Sequence, residues 1–507
     1  MEYEQHVVAF RIQGRGNPQG MMRRSAQTAA ARSRRALPRA GFWRSGCSRR
    51  ALLAVGLLCP AASAGAQGYD PVYTQSQSIS TAPSAFASGL APLGLTGTAL
   101  EESVQRRPRP EFQAIGMQLD DAITEVGQLL TERKDRDYRP RHERTGSFQV
   151  YPKIEGTLEF TDNLYRRETN KVADQIVKIA PSVLVQSEWA NHMLYFNTGA
   201  LSARHVDTAS ENYLNWFVGT GGRLDIEEDE YLNGNLRFAR EHEQRGSADD
   251  VGLPEPTPYA NYTGDLAYTR RGSSIYNRVA YTFNRYDYDD VGTTNNDDRD
   301  RNEHELAWRI GWEDVPGMVY YVEPSVNTRI YDQERDDNGL QRSSHGWRLL
   351  AGINWDVSGV SYAEAGVGYM SQYYDDASLD TIAGWSVNGK YVWNTTELVT
   401  MTAEAQRSIN ETTQVGASGI LATRLGFTID YEAFYNVILD AKLVWRNDEY
   451  EGINRSDDIW GISFGTRYLI SENYYGLLRL SHDERESNQR NSGYTDNRII
   501  LTLGAQI

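Results

Sequence analysis

The last eleven residues, NRIILTLGAQI, alternate to the final position. Ile499, Leu501, Leu503, Ala505 and Ile507 share one parity, and Arg498, Thr502, Gly504 and Gln506 hold the other. A side-chain period of two marks a β-strand whose faces meet different environments. The same period starts at Ser147. In SFQVYPKIEGTLEF, Phe148, Val150, Ile154, Leu158 and Phe160 lie on one face; Gln149, Lys153, Glu155, Thr157 and Glu159 lie on the other. It returns at Leu214, Trp216 and Val218, at Leu306, Trp308, Ile310 and Trp312, and at Trp347, Leu349, Ala351, Ile353 and Trp355. Later come Trp385, Val387, Tyr391 and Trp393, then Leu421, Leu425, Phe427 and Ile429, then Val437, Leu439, Leu443 and Trp445. No convincing helical pattern follows residue 146.

Short and long connections alternate between these segments. EWANH, IEEDE, RRGSS, EDVPG, DVSGV, NTTE, EAFYN and ISENY are short. EHEQRGSADDVGLPEPTP, DYDDVGTTNNDDRDRNE, YDQERDDNGLQRSS and DERESNQRNSGYT are long. Eight short turns and nine long loops predict eighteen strands. The expected fold is all-β, a transmembrane antiparallel up-and-down β-barrel over residues 147–507 with its short turns in the periplasm. An even strand count brings both ends of the barrel to that side. The last strand must then pair with the first, because hydrocarbon leaves an unpaired strand edge unsatisfied.

A soluble sandwich also alternates, but it gives no reason for tryptophans at one height. Trp189, Trp312, Trp355 and Trp393 each stand immediately before a short turn. Indole favours the membrane–water boundary, so these four predict a periplasmic aromatic belt. Tyr286, Tyr288, Tyr331, Tyr373, Tyr374 and Tyr450 gather near the long-loop ends instead.

Composition changes the picture mainly at the N-terminus. RRALLAVGLLCPAASAGAQ joins a basic flank, an apolar core and small-residue cleavage sites, as a secretory signal peptide does. Residues 1–66 read as signal peptide with a mis-called N-terminal extension, cleaved after Ala66. Residues 67–117 read as a flexible Ser/Ala/Gly/Pro linker, mostly disordered. Residues 118–146 read as one short amphipathic helix, on Leu119, Ile123, Val126 and Leu130, and a charged connector. Both cysteines, Cys47 and Cys59, leave with the signal. So do eleven Arg and two Glu, which turns a formal charge of -16 into about -25 on 41 basic and 66 acidic residues. A polyanion of that size does not bind nucleic acid by neutralising phosphates.

If the apolar parity meets lipid, the other parity lines a lumen. Arg237, Arg278, Arg309, Arg329, Arg348, Arg424, Arg467 and Arg479 then point inward, with Lys153, Lys390, Lys442 and Arg498. Glu155, Glu159, Glu305, Glu323, Asp356, Glu404, Asp430 and Asp440 share that face. Such a lining either biases passage towards anions or pairs across strands and keeps a wet wall soluble. Acidic loop residues, such as Asp287, Asp289, Asp290, Asp297, Asp298 and Asp300, read as solvated, since DRDRN lacks a calcium-loop spacing. His205, His242, His304, His345 and His482 fall near strand exits or loops, but no HExxH or GxSxG occurs. No catalytic residue, cofactor or metal site is expected.

EFTDNLYRR, RGSADDVGLPEPTPY, RYDYDDV followed by NNDDRDRNEHE, and RYLISENYYGLLRLSHDERESN carry a resemblance. Over residues 147–507 the sequence resembles a family of proteobacterial outer-membrane β-barrel porins of the second type, whose members are often linked to exopolysaccharide gene clusters. The resemblance implies a barrel in the bacterial outer membrane and a role in glycan export or diffusion. It supplies no catalytic residues. Expected partners are outer-membrane lipid and lipopolysaccharide, the secretion and barrel-assembly machinery, and polysaccharide or small solutes as cargo. Two functions stay open: a porin-like conduit, or a structural or adhesive surface barrel with a filled lumen and ligand-binding acidic loops.

Overall fold

The computed structural model describes residues 142–506, apart from Ala190, Glu228, Val251, Pro316 and 357–359. The signal peptide, its cleavage site at Ala66, the linker and the amphipathic helix lie outside the described residues. From Phe148 onward the chain forms eighteen antiparallel strands, the shortest of 12 residues and the longest of 16, running from Phe148–Thr161 to Tyr494–Gln506. That length exceeds the roughly 9–11 residues a tilted strand needs to cross hydrocarbon.

The ring closes where the sequence requires it. Strand Tyr494–Gln506 pairs with Phe148–Thr161 from Arg498↔Thr161 to Gln506↔Lys153. Side chains reinforce the seam: Thr157 Oγ1 lies 2.8 Å from Thr502 Oγ1, and the Thr161 hydroxyl donates to Asp496 at 2.6 Å. No strand edge is therefore left at that joint. The charged connector holds one surprise, a three-residue strand, Glu143–Thr145, which turns at Gly146 and pairs back on Phe148–Val150. Gly146 has φ +63°, a conformation that costs a side-chain-bearing residue about 1–2 kcal/mol.

Alternation becomes inside against outside. On the last strand Ile499, Leu501 and Leu503 are exposed, while Ile500 and Thr502 are buried. Apolar side chains exposed all round a closed barrel make sense only against lipid. A Lys or Arg in that band costs about 2–4 kcal/mol at the membrane midplane. Turns of two to five residues lie at one end and, apart from the three-residue connection 452–454, longer loops at the other. Trp189, Trp312 and Trp355 are exposed near the short turns; Trp393 shares the outward parity but is half-buried. Trp216, Trp347 and Trp385 make a second exposed group near the long-loop ends.

The tyrosines differ from a simple outer belt. Of the six near the loops, only Tyr373 is an exposed outward side chain. Tyr331 and Tyr450 are buried inside, and Tyr286, Tyr288 and Tyr374 share their strands' inward parity. The reason is cationic: Arg299 lies 4.1 Å from the Tyr288 ring centre, Arg301 4.4 Å from that of Tyr286, and Arg455 4.2 Å from that of Tyr450. Aromatic faces attract guanidinium groups at such distances, and those arginines belong to the wet side.

Candidate functional site: the lumen wall and the outer mouth

The eight arginines selected from parity all lie on the inward face. Arg278, Arg309, Arg329, Arg348, Arg467 and Arg479 are buried; the Arg237 side chain is 8% exposed, and Arg424 is intermediate. Carboxylates partner several of them. Arg309 bridges Glu323 at 2.7 Å and Glu364 at 3.2 Å; Arg348 bridges Glu305 at 3.0 Å and Glu323 at 3.5 Å. Arg479 meets Asp440 at 3.3 Å, Arg237 meets Glu241 at 2.8 Å, and Arg329 meets Glu411. Arg309 also stacks 4.1 Å from the Tyr321 ring centre. That ring lies over Gly352 and Gly366, where an added Cβ would come within 2.5 and 2.6 Å of it. Small residues on two strands thus seat an aromatic that in turn seats an arginine. The wall is a lattice of compensated charge.

The mouth is organised by contacts between residues far apart in sequence. The loop 243–257, joining strands Glu230–His242 and Pro258–Arg271, does not stay over its own hairpin. Near its start, Arg245 donates to both Glu211 oxygens at 2.6 and 2.9 Å, and Glu243 accepts both Arg299 donors at 2.8 and 2.9 Å. Gly246 O then accepts from Arg485 at 2.9 Å. Asp249 Oδ1 accepts from the Thr412 hydroxyl at 2.6 Å and the Thr413 N–H at 2.9 Å. Ala248 packs against Ala417, Ile420, Ala422 and Tyr450. Ile420 and Ala422 sit on strand Gly419–Phe434, nine strands round the ring of eighteen from the strand that launches the loop. This loop is a strap from one wall to the opposite one.

The far end of the strap meets a second inward element. The hairpin tip around loop 411–418 is also held from strand Met318–Tyr331, four strands round the ring from Val399–Asn410, and from the loop that follows it. Arg329 donates to Ile409 O at 2.8 Å, Tyr331 to Glu411 at 2.8 Å, and Arg342 to Thr412 O at 2.8 Å and Ala417 O at 3.2 Å. Leu421, which alternation places towards lipid, is buried instead against Met370, Ile382 and Ile409. That is a correction to the sequence reading, and its cause is the inward bend of this hairpin.

Between strap and wall lies a small open recess, lined by residues that include Lys178, His205, Tyr213, His242, Gln244 and Arg245. The His242 ring stacks on Tyr213 with centres 3.8 Å apart. In the loops, burial opposes the charge of Arg245, yet the paired Glu211 outweighs it and raises its pKa. Burial lifts Asp300 to about 6. Of the other histidines, His304 bonds Tyr281, His482 bonds Asn497 and His345 sits 4.0 Å from Asp375. Among the described residues no His/Cys/Asp/Glu group has metal-site geometry.

A family model described as Putative beta-barrel porin 2 matches residues 136–507. The chain belongs to the Putative beta-barrel porin 2 family. With the closed barrel and its apolar outer band, membership places it in the bacterial outer membrane. No curated protein is significantly similar. Among solved structures, a BenF-like porin from Pseudomonas fluorescens Pf-5 is 9% identical, covering 71% of this chain and 99% of its own, with a TM-score of 0.41. The outer membrane protein opdK from Pseudomonas aeruginosa is 11% identical over 71% and 99%, TM-score 0.40. The siderophore receptor PirA from Pseudomonas aeruginosa is 8% identical over 72% and 81%, TM-score 0.39. Likeness at this level carries no argument about cargo.

Sequence reasoning found the wall residues through parity. It had no signal for Arg245, Asp249, Arg342 or Glu411, because no local pattern records which loop crosses a mouth.

Proposed function

We propose that this barrel is a porin-like conduit for hydrophilic solutes, with glycan chains, including exopolysaccharide, as its cargo. The observation that carries the reading is the pairing of two faces: an apolar outside and an inside of charged and aromatic side chains that compensate one another. A wall of ion pairs and tyrosines favours hydroxyl-rich cargo over any one sign of charge, so charge selectivity should be weak and at most mildly anion-favouring. The chain reaches its membrane through the secretion and barrel-assembly machinery and meets lipid and lipopolysaccharide there. No step of this reading needs catalysis or a cofactor.

Purified full-length barrel in planar bilayers tests it. Discrete conductance steps with an anion-to-cation permeability ratio near unity, blocked by added neutral oligosaccharide, are expected. Strong cation preference would defeat the wall argument. The cross-mouth contacts favour one second reading, a surface barrel with a closed mouth. Silence that persists after residues 246–252 are deleted would decide for it.

A further inference from the structure

The misplaced Leu421 has a companion in strand pairing. Strands Ile382–Thr396 and Val399–Asn410 are hydrogen-bonded only from Thr396↔Val399 up to Val387↔Arg407. Above that point Ile382–Ser386 has its ladder on one side only, to strand Ser361–Tyr374. The next strand has left the wall. Its end, Ser408–Asn410, stays paired with Gly419–Phe434 and has moved inward with it. Ile409 and Leu421 pack onto Met370, Ile382 and Tyr374. Met370 and Ile382 carry the inward parity of their strands. At Gly419 an added Cβ would lie 2.6 Å from the Tyr374 hydroxyl and 2.8 Å from Ile382. The hairpin's outward face therefore lies against the inner face of its neighbours.

The sequence is written for the other arrangement. Thr402, Glu404, Gln406, Ser408 and Asn410 are all polar, while Met401, Ala403, Ala405 and Ile409 alternate with them; Arg407 alone breaks the apolar series, and it pairs with Glu449 near the loop end. Continuing the existing register would set Ser386 opposite Ser408 and Gly384 opposite Asn410. It would also return Ile409 and Leu421 to the lipid side and complete the open ladder, whose vacant edge is costly at a membrane.

We propose that the hairpin Val399–Phe434 exchanges between two positions, bent inward under the strap or zipped into the wall, and that Asp249 is the latch selecting the first. In the bent position the tip and the strap meet across the mouth and obstruct it. In the zipped position the tip leaves the mouth and the strap loses its far anchor. The geometry stands by itself; the consequence for passage rests on the conduit reading.

Cross-linking of the full chain, with Cys47 and Cys59 replaced by Ser, separates the two positions. Ala248→Cys with Ala417→Cys reports the bent position. Gly384→Cys with Asn410→Cys, or Ser386→Cys with Ser408→Cys, reports the zipped one. Directly opposed strand residues have Cα atoms about 4.5–5.5 Å apart, within disulfide reach. The Gly384 substitution is tolerable, since its Cβ meets Leu421 at 3.5 Å. Heat-modifiable gel mobility confirms that each variant folds.

Both positions should cross-link. Asp249→Ala should raise the zipped-to-bent ratio about tenfold, a shift of about 1.4 kcal/mol. The oxidised zipped form should conduct several-fold more than the oxidised bent form. Failure of both zipped pairs, with or without Asp249→Ala, while 248–417 links readily would overturn the exchange. Equal conductance of the two locked forms would overturn its gating role. Exchange between the two cross-links in a protein silent in every form would uphold the motion and sink the conduit reading alone.

Discussion

The two rims of this barrel are built on different principles. At the short-turn rim the connections run from two to five residues and close their own hairpins, as Gly317 does with φ +82° between strands that end at Val315 and restart at Met318. At the long-loop rim the connections reach fifteen residues and bond to loops far round the ring, as Asp249 does with Thr412. A hairpin turn needs only a permissive backbone. A strap needs charges and hydroxyls placed where another loop can use them. The difference teaches that the short-turn rim serves the fold, whereas the long-loop rim is a tertiary structure of its own.

The hardest way to break that contrast is to remove a buried charge partner from the strap. Arg245→Ala strands Glu211, which is 2% exposed, and breaking such a pair costs about 3–5 kcal/mol. Hydrogen exchange should rise sharply across residues 243–257 and 209–211 and stay unchanged at the periplasmic turns. A whole-barrel loss of protection would contradict the separation of the rims.

A milder test puts the same substitution at both rims. Gly246→Ala and Gly146→Ala each force a left-handed residue to carry a Cβ, a strain of about 1–2 kcal/mol. At Gly246, φ +74°, the new atom would also lie 2.8 Å from Arg166 of another loop, whereas at Gly146 it would meet nothing within 4 Å. Overpacking of that kind adds about 1–3 kcal/mol. The Gly246 variant should therefore lose more thermal resistance, read as the temperature at which the folded band disappears from unboiled gels. Equal losses would show that the strap touches nothing of consequence.

The smallest effect is a pH response. Burial raises Asp300 to about 6; the carboxylates of Asp287 and Asp297 add to this, and the Tyr288 N–H and Arg285 oppose it. A raised pKa means that the folded loop holds the proton more tightly than the unfolded chain. Its stabilisation is complete below about pH 4 and is lost as pH rises through about 6. Once exchange is corrected for its intrinsic pH dependence, loop 289–300 should be better protected at pH 5 than at pH 7.5, with no matching change at the short turns. Asp300→Asn keeps an acceptor for the Tyr288 N–H, 2.7 Å away, and should flatten the profile.

How far the sequence could be read follows the same division. Eighteen strands, their order and the closing pair were all legible, because one face in oil and one in water leaves a mark at every second residue. The parity reading failed at Leu421, where the hairpin leaves the wall, and it gave no direction to the tyrosines near the loops. Arg299 and Arg301 turn Tyr288 and Tyr286 inward through contacts that no spacing rule contains.

By itself, then, the sequence determined what each strand residue meets, since that depends on local parity and a uniform solvent on either side. Only the tertiary structure decided that residues 243–257 cross to Thr412 and that the hairpin at 411–418 bends to meet them. Those choices depend on a few hydrogen bonds between loops separated by more than a hundred residues. The order of residues along the chain carries no signal for partners brought together only when the ring closes.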